Sequence, residues 1–472
     1  MSQPTRRDFL KTGALSTFLL GSGIALAGGC SAIQNRGKTR NVIVMVSDGM
    51  SAGTLQMADT YLRRQHGRPS NWIRLLEENV LKHGLMDMAS ANRIVTDSGA
   101  ASSSWGGGHR VNNGSLNVGP DGTHHKPLLP IFRDSGKRTG LVTTTEITHA
   151  TPAGFTVNIE DRGDGEKIAE QYLERKVDIL LGGGNRHFDA ERRSDERNLY
   201  ADFQGEGYFV ARNKDELLPG AQESHILGVF TNGHLPYTLD HLHSDELLAN
   251  VPTLAEMTDL AINNLSQSSN GFILQVEGGR VDHAAHGNDV GGLIHDQIAF
   301  DDAVGVAMEF AANRDDTLVI VTTDHGNANP GHSSSPDENF DSIAKFRQTG
   351  SWIRRGLNGD SSFSEIRERV EYATGYEFSR EEAEIFRQAA RGEYRAAHRR
   401  MSSASAVLGQ LIANYCDVSW VSGTHTADYV DLSSFGPGSE ALNGFVRNTQ
   451  LFDVITEAAE VTEFITDEKA VA

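Results

Sequence analysis

Apolar residues in this chain recur as continuous runs with helical patterns between them. Such runs lie at residues 41–46, 140–143, 177–181, 272–276 and 317–321. A continuous run, unlike an alternating one, predicts a strand that is covered on both faces, as in a parallel sheet. Helical periodicity at 167–175 and 293–312 separates some of these strands. Strands that alternate with helices predict a layered α/β fold with a mostly parallel central sheet.

Polar residues follow several of these strands at the point where each run ends. Asp48 follows the first run, Glu277 follows the run at 272–276, and Asp324 and His325 follow the last one. Ligands of parallel α/β sheets bind beyond the carboxyl ends of the strands. We therefore expect these side chains to meet at one edge of the sheet.

The segment from about residue 327 to 419 has a different sequence pattern from the rest of the chain. Residues 332–336 resemble a loop, and a charged helical run from Ser379 to Arg399 opens close to a capping box. We interpret this segment as a helical insertion carried by a catalytic domain that spans residues 30–472. Its charges are typical of a solvated helix face.

Residues 1–29 are predicted to be a signal peptide. Residues 5–11 resemble a twin-arginine export signal, and the small-residue stretch that follows is too short and too rich in glycine for a stable membrane span. The pattern predicts export to the periplasm or the cell surface. Cys30 ends an imperfect lipoprotein cleavage site, so lipid attachment there and a free N-terminus remain alternatives. Cys416 is the only other cysteine, which leaves no disulfide framework.

The net charge of the chain limits the kinds of molecule that it is expected to bind. The 472 residues carry a formal net charge of -20. Nucleic-acid binders hold phosphate backbones with basic patches, so no nucleic-acid binding is expected. An acidic protein that acts on an anionic substrate needs local positive charge, which bound metal ions can supply.

The segment at residues 275–286 has the spacing of a metal site. Asp282 and His286 are four residues apart and would share one face of a helix, and a carboxylate with an imidazole suits zinc. Glu277 at the strand end suits a harder ion such as magnesium. An isolated pair of this kind is more often a helix start with an exposed histidine, but the two glycines and Glu277 favour the metal site.

Two further segments offer metal ligands. Asp324 and His325 precede Gly326, which would let the backbone turn at once so that both residues reach one ion. His425 lies in a loop of small residues at 421–428. Each segment would more often be structural if it stood alone.

Ser98 and Arg162 are the candidates for covalent chemistry. A serine between Asp97 and Gly99 is commonly a helix cap, yet a helix N-terminus also suits an incoming anion. A serine hydroxyl becomes a competent nucleophile when coordination to a cation makes it acidic enough to lose its proton. Arg162 would be an ordinary surface ion pair by itself, although its guanidinium fork matches two phosphate oxygens.

Together these motifs resemble the alkaline phosphatase family across most of the chain after the leader. The motifs are, in order, an Asp-Gly strand end, Asp-Ser-Gly-Ala, Ala-Thr-Pro-Ala followed by an arginine, Val-Glu-Gly-Gly-Arg-Val-Asp-His-x-x-His, Thr-Thr-Asp-His-Gly and Ser-Gly-Thr-His-Thr. The resemblance implies a three-layer sandwich and a phosphomonoesterase that releases inorganic phosphate from small phosphate monoesters. Members are often dimers, so a homodimer is an open possibility.

The same resemblance implies a role for each site residue. Ser98 would become phosphorylated and Arg162 would hold the phosphoryl oxygens. Two zinc ions and one magnesium ion would be bound by three sets of ligands: Asp282, His286 and His425; Asp48, Asp324 and His325 together with Ser98; and Asp48, Thr151 and Glu277. His149 and His283 occupy positions where members vary, which leaves the identity of the third ion open.

Two rival readings stay open on the sequence. A phosphodiesterase or sulfatase could use the same metal scaffold, although diesterases usually present threonine as the nucleophile and sulfatases need a Cys/Ser-x-Pro-x-Arg signature. A phosphate- or metal-binding protein without turnover would be expected to lack a ligand, the serine or the arginine, and none is missing here.

Overall fold

A computed structural model of the chain describes residues 39–333 and 336–466. The proposed leader at 1–29 and the candidate lipidation residue Cys30 lie outside the described residues. Within the described ranges, no helix has both the length and the apolar character needed to cross a bilayer.

The centre of the molecule is a large, mostly parallel sheet. Within the described residues it has ten strands in the order β14-β2-β13-β8-β1-β7-β3-β4-β6-β5. Neighbouring strands run parallel except where β13 pairs with β2 and β8. The strand bounds are β1 Asn41–Val46, β2 Lys82–Asp87, β3 Arg138–Glu146, β4 Ile179–Gly183, β5 Phe209–Ala211, β6 Ile226–Val229, β7 Phe272–Glu277, β8 Thr317–Thr322, β13 Val430–Phe435 and β14 Gly444–Arg447. Each predicted strand is present, with its bounds shifted by a few residues.

Short strand pairs cap the loops at one edge of the sheet. β9 (Gly326–Asn327) pairs with β12 (His425–Thr426), and β10 (Gly331–His332) pairs with β11 (Val418–Ser419). These antiparallel pairs join the two ends of the segment between β8 and β13. The segment that carries His425 is therefore drawn next to the strand end that carries Asp324 and His325.

Helices cover both faces of the sheet. They are α1 Ala52–His66, α2 Asn71–Glu77, α3 Ser98–Gly106, α4 Leu128–Asp134, α5 Ala150–Gly154, α6 Gly165–Glu174, α7 Leu199–Gly205, α8 Lys214–Leu217, α9 Thr238–Leu242, α10 Asp245–Asn250, α11 Leu254–Leu265, α12 Arg280–His286, α13 Val290–Ala311, α14 Asp337–Asp341, α15 Gly350–Arg355, α16 Phe363–Thr374, α17 Arg380–Ala390, α18 Ala404–Cys416 and α19 Gln450–Ala458. Short 3-10 helices lie at Asn185–His187, Leu218–Gln222, Ser342–Lys345, Arg399–Ser402, Ser439–Leu442 and Thr462–Phe464.

Strand β1 shows why the fold has three layers. Its side chains alternate between two separate apolar cores: Ile43 and Met45 face one, while Val42 and Val44 face the other. All of them are fully buried. A strand that is buried on both faces needs a helical layer on each side. The predicted three-layer α/β sandwich is confirmed.

The segment between β10 and β11 contains helices α14 to α18, as expected for a helical insertion. Ser379 and Glu382 form the predicted capping box at the start of α17. The prediction of a helical run as far as Arg399 is wrong beyond Ala390. Gly392 adopts a left-handed backbone with φ of 72°, which ends the helix.

A buried carboxylate on α13 gives the fold a dependence on pH. Asp296 accepts hydrogen bonds from the backbone N–H and the hydroxyl of Thr238, at 3.2 and 2.8 Å. Burial raises the pKa of Asp296 from 3.8 to about 7, against the opposing effect of Arg280. Because the folded state holds this proton more tightly than the unfolded state, the stabilisation is complete below pH 3.8 and is lost as the pH rises to about 7.

We predict that Asp296→Asn removes this pH dependence. The free energy of unfolding of the variant, relative to wild type, should rise by about 1–3 kcal/mol between pH 5 and pH 8, because the charged form no longer has to be buried. Urea unfolding at both pH values measures the effect. Asp259→Asn, at an exposed position on α11, is the control and should show no such rise. Parallel pH profiles for wild type and Asp296→Asn would contradict the prediction.

Candidate metal centre

The register of three neighbouring strands brings acidic residues together. β1 lies between β7 and β8, with Val46 opposite both Glu277 and Thr322. Asp48 lies two residues after Val46, and Asp324 lies two residues after Thr322. Glu277 is the last residue of β7. All three side chains are fully buried. The carboxyl ends of these parallel strands therefore form one acidic pocket.

Helix α12 presents its ligands to the same pocket. Asp282 and His286 lie four residues apart, and their nearest carboxylate and imidazole atoms are 3.4 Å apart. Gly49, with φ of 69°, faces Asp282, and a Cβ atom at this glycine would lie 2.5 Å from Asp282 Oδ1. The glycine after Asp48 thus provides both the left-handed turn and the space that lets the two acidic segments approach.

The first ligand group joins Asp282, His286 and His425. Asp282 Oδ1 lies 3.6 Å from His425 Nε2, and the Nε2 atoms of the two histidines are 3.0 Å apart. His286 Nδ1 donates to Gly423 O at 2.8 Å, and His425 Nδ1 donates to Thr96 O at 3.0 Å. Each Nδ1 therefore carries a hydrogen, and the Nε2 atoms of both rings face each other in the pocket.

This arrangement fits a bound cation. The Nε2 atoms of His286 and His425 lie 3.0 Å apart and the Asp282 carboxylate lies beside them, so one ion could contact all three side chains. Burial, followed by the effect of His325, lowers the pKa of His425 to about 4, which keeps its ring neutral. Neutral imidazoles whose Nδ1 atoms are held by carbonyl groups are the usual ligands of zinc.

The second ligand group joins Asp48, Asp324 and His325. His325 Nε2 lies 3.1 Å from Asp324 Oδ2 and 3.7 Å from Asp48 Oδ1. The buried Asp48 Oδ1 receives no hydrogen bond from any described residue. Burial raises the pKa of Asp48 well above its usual range, and the Asp324 and Asp282 carboxylates raise it further. A cation would relieve that repulsion, so these residues also fit a metal ion.

The third ligand group lies on the other side of Asp48. Asp48 Oδ2 accepts a hydrogen bond from Thr151 Oγ1 at 3.2 Å, and His149 Nδ1 lies 2.7 Å from Glu277 Oε1. Burial alone would raise the pKa of Glu277, but His149 and the hydroxyl of Thr143 outweigh it and hold that pKa below its ordinary value. The donors are mostly oxygen atoms, which suits magnesium, with one imidazole added.

Ser98 is the first residue of helix α3, and its hydroxyl oxygen lies 3.3 Å from His325 Nε2. Asp97, not Ser98, is the N-cap, because its carboxylate accepts the N–H of Ala100 at 2.9 Å. The Ser98 hydroxyl is therefore not occupied in capping and remains directed at the second ligand group. Free amides at the start of α3 favour an anion beside it.

Arg162 is positioned by the same aspartate. Its Nη1 atom donates to Asp97 Oδ2 at 3.0 Å, and its backbone N–H donates to Gly114 O. The side chain is three-quarters buried at the N-terminus of α3. One edge of the guanidinium is thus fixed, while the group as a whole can bind phosphate oxygens in pairs.

Every residue predicted from sequence lies in or beside this pocket. His283 lies outside the three ligand groups; its Nδ1 accepts from Arg280 Nη1 at 2.9 Å, and its ring lies 4.4 Å from that of His234. His149 joins the third ligand group. The role of Gly326 differs from the expected turn: its φ is not left-handed, and its missing Cβ instead makes room for Asp428 Oδ2.

Sequence reasoning missed the residues that support the ligands. Asn327 is fully buried, and its Nδ2 donates to Asp282 Oδ1 at 2.7 Å. His234 accepts the backbone N–H of Glu146 and lies against His149 and His283. Asn327 stands two residues after His325, so its place at a strand end was a usable signal. His234 is far in sequence from the predicted ligands and reaches the pocket through the fold, so no local sequence pattern identifies it.

Comparisons with known proteins agree with this site. A family model for alkaline phosphatase matches residues 39–461. Alkaline phosphatase 4 of Bacillus subtilis is 31% identical over 434 residues, which is 89% of this chain and 89% of that protein. The alkaline phosphatase of Escherichia coli is 30% identical over 61% of this chain and 70% of its own length. The crystal structure of Thermus thermophilus alkaline phosphatase matches with a TM-score of 0.86 and 34% identity, and covers 92% of this chain and 93% of that one.

The chain belongs to the alkaline phosphatase family. It is accordingly a phosphoric monoester hydrolase, in a metal-dependent family whose members act on small phosphate monoesters.

We predict that Asn327→Ala weakens metal binding without unfolding the protein. Loss of the hydrogen bond to Asp282 lets that carboxylate rotate, so zinc affinity should fall about 10–100-fold. Competition with a chromophoric chelator measures the affinity. Asn264→Ala is the matched control, since Asn264 is equally buried but bonds to Arg138 at the opposite end of the sheet. Equal zinc affinity in Asn327→Ala and wild type would refute the role.

Proposed function

We propose that this protein hydrolyses phosphate monoesters through a phosphoserine formed on Ser98, at a centre of two zinc ions and one magnesium ion. One observation carries the proposal. Three groups of possible metal ligands adjoin one another, and the Ser98 hydroxyl lies 3.3 Å from His325 Nε2 in the second group.

Each ion has a set of side chains, and Asp48 belongs to two of these sets. Asp282, His286 and His425 would hold one zinc ion, and Asp48, Asp324 and His325 would hold the other next to Ser98. Asp48, Thr151 and Glu277 would hold magnesium, with His149 at the same position. The imidazole of His149 leaves a transition-metal ion as the alternative occupant of this third site.

The reaction proceeds in two displacements at phosphorus. Ser98 Oγ attacks the phosphorus atom, and the ester oxygen leaves with the bonding electron pair and takes up a proton to become an alcohol. Water then attacks the phosphoserine and releases inorganic phosphate together with the free serine. When bound, the cations supply the positive charge that favours deprotonation of Ser98 and stabilises charge on the transferring group.

Side chains of the protein orient the phosphoryl group. Arg162, fixed on Asp97 at 3.0 Å, binds two of its oxygens, and the free amides at the start of α3 attract the third. Ser98 at the first position of α3 is held in line with the phosphorus by the helix. Orientation and fixed charge thus provide the main part of the rate enhancement.

The proposal extends to the location of the enzyme. The twin-arginine pattern at residues 5–11 supports export to the periplasm or the cell surface. That route carries folded proteins, which suits an enzyme that is loaded with metal before export. Lipid attachment at Cys30 and a homodimer belong to the same proposal.

The third ligand group favours a monoesterase over its rivals. Diesterase relatives on this scaffold lack the magnesium carboxylate, whereas Glu277 is present and is held by Thr145 and His149. A binding protein without turnover has no need of a serine hydroxyl directed at metal ligands, as Ser98 is. The geometry therefore supports catalysis on monoesters.

Removal of metal should abolish activity. We expect metal analysis of the purified protein to give about two zinc ions and one magnesium ion per chain, and chelation to remove both the metals and the hydrolysis of a monoester. Zinc plus magnesium should restore activity, while either ion alone should restore less. A faster rate on a diester or a sulfate ester than on the monoester would overturn the assignment of substrate class.

Replacing Ser98 by alanine should lower kcat by about 10³-fold or more, because the covalent route is lost. Zinc content should be unchanged, and no phosphoprotein should form with labelled substrate at acidic quench. Ser104→Ala is the matched control in the same helix, where the hydroxyl donates to Ala101 O, its one hydrogen-bond partner among the described residues, and it should retain activity. Undiminished hydrolysis in Ser98→Ala would show that the nucleophile is another group.

A further inference from the structure

Asp428 lies where three loops of the candidate metal centre meet. Its Oδ2 atom accepts hydrogen bonds from the hydroxyls of Thr426 and Ser51, at 3.0 and 3.4 Å. Its Oδ1 atom accepts a hydrogen bond from Asn329 Nδ2 at 3.2 Å. One half-buried carboxylate therefore joins three segments that are far apart in the sequence.

Each of the three donors stands within four residues of a candidate metal ligand. The pairs are Thr426 with His425, Ser51 with Asp48, and Asn329 with His325. His425 belongs to the first ligand group, whereas Asp48 and His325 belong to the second. A displacement of the one carboxylate would therefore reach ligands of both groups.

The space at Gly326 fits this carboxylate. Strands β9 and β12 pair Gly326 with Thr426, and a Cβ atom at residue 326 would overlap Asp428 Oδ2 and crowd Thr426 Oγ1. The backbone of Gly326 is not left-handed, so no turn requires a glycine here. The missing side chain instead provides the space in which the Asp428 carboxylate lies, directly after His325.

The turn that Asp428 contacts has a strained backbone. Ala328 and Asn329 are consecutive non-glycine residues with left-handed conformations, at φ of 56° and 42°. Residues with a side chain adopt this conformation at a cost, and they keep it only where other contacts fix them. The N–H of Ala328 donates to Thr424 O at 3.0 Å, and the side chain of Asn329 donates to Asp428. Asp428 therefore helps to fix a turn that the backbone alone disfavours.

Ser51 extends the same network to a ligand of the first group. Its hydroxyl oxygen accepts the N–H of Asn327 at 3.0 Å, and Asn327 Nδ2 donates to Asp282 Oδ1 at 2.7 Å. Ser51 and Asn327 are both buried. A chain of hydrogen bonds thus leads from the Asp428 carboxylate to the Asp282 carboxylate.

We propose that Asp428 is a positioning residue that aligns the ligands of both zinc sites, so that zinc affinity depends on its hydrogen bonds although it belongs to none of the ligand groups. The inference rests on the proposed metal centre and adds the side chain that holds its loops together. Groups that support metal ligands in this way fix their orientation and thereby raise the affinity for the metal.

Zinc affinity in two variants tests the proposal. In competition with a chromophoric chelator, Asp428→Ala should bind zinc about tenfold more weakly than wild type, and both zinc ions should be released more readily. Asp428→Asn should stay within about twofold of wild type, because its amide oxygen can accept from the two hydroxyls while the Asn329 amide turns to accept from its NH₂ group. This rescue separates alignment by hydrogen bonds from an effect of negative charge.

Asp178→Ala is the matched control. Asp178 is also half-buried and accepts hydrogen bonds from Thr139 and Arg138, but it lies at the amino ends of β3 and β4. Its replacement removes a comparable set of hydrogen bonds far from the ligand groups. The variant should bind zinc as wild type does.

Gly326→Ala provides an independent measure. The added methyl group displaces the Asp428 carboxylate, so zinc affinity should fall about tenfold in this variant but less than about threefold further when the change is made in Asp428→Ala. Losses that multiply in the double variant would show that the two residues act separately, and would contradict the proposal.

Two other results would overturn the proposal. One is unchanged zinc affinity in Asp428→Ala, and the other is an Asp428→Asn variant as weak as Asp428→Ala. Hydrogen exchange on metal-free protein distinguishes either from a failure of the proposed function: the amides of residues 326–329 should exchange about tenfold faster in Asp428→Ala than in wild type or Asp428→Asn. If wild type binds no zinc, the proposed metal centre fails, and the exchange rates still decide whether Asp428 holds these loops.

Discussion

Four carboxylates buried in one pocket cannot all remain charged unless a compensating positive charge lies among them. Asp48, Glu277, Asp282 and Asp324 converge at the carboxyl ends of β1, β7 and β8 and at the start of α12. Burial and mutual repulsion raise the pKa of Asp48, and an ionised carboxylate without a partner in such a place costs several kcal/mol. The fold holds these groups together because β1 is locked between two parallel neighbours, so cations are the natural complement of the architecture.

Much of this could be predicted from sequence, since it depends on local pattern. Strands that are buried on both faces appear as continuous apolar runs, and β1, β7 and β8 do so. Asp48, Glu277 and Asp324 follow those runs, and the rule that ligands meet at strand ends then places them in one pocket. Asp282 and His286 carry their helical spacing in the sequence itself.

What could not be predicted depends on contacts between distant segments. His425 reaches the pocket because β12 pairs with β9, a pairing of two residues that no periodicity marks. The support of Asp282 by Asn327 and the packing of His234 against His283 also arise from tertiary structure. The prediction that Gly326 serves as a turn is wrong because the role of this glycine depends on a distant segment. Asp428 fills the space where a Cβ atom of residue 326 would lie.

Hydrogen bonds to the backbone connect the parts of the site into one structure. Asp97 caps helix α3 and also fixes Arg162, so the proposed nucleophile Ser98 and the proposed phosphate-binding group share one anchor. Thr96, the preceding residue, accepts from His425 through its carbonyl oxygen. The loop at 94–97 therefore links the serine helix, the arginine and the imidazole of a candidate metal ligand within four residues. One short segment can therefore align the serine, the arginine and this imidazole with one another, because all three are held by hydrogen bonds to its backbone or to Asp97.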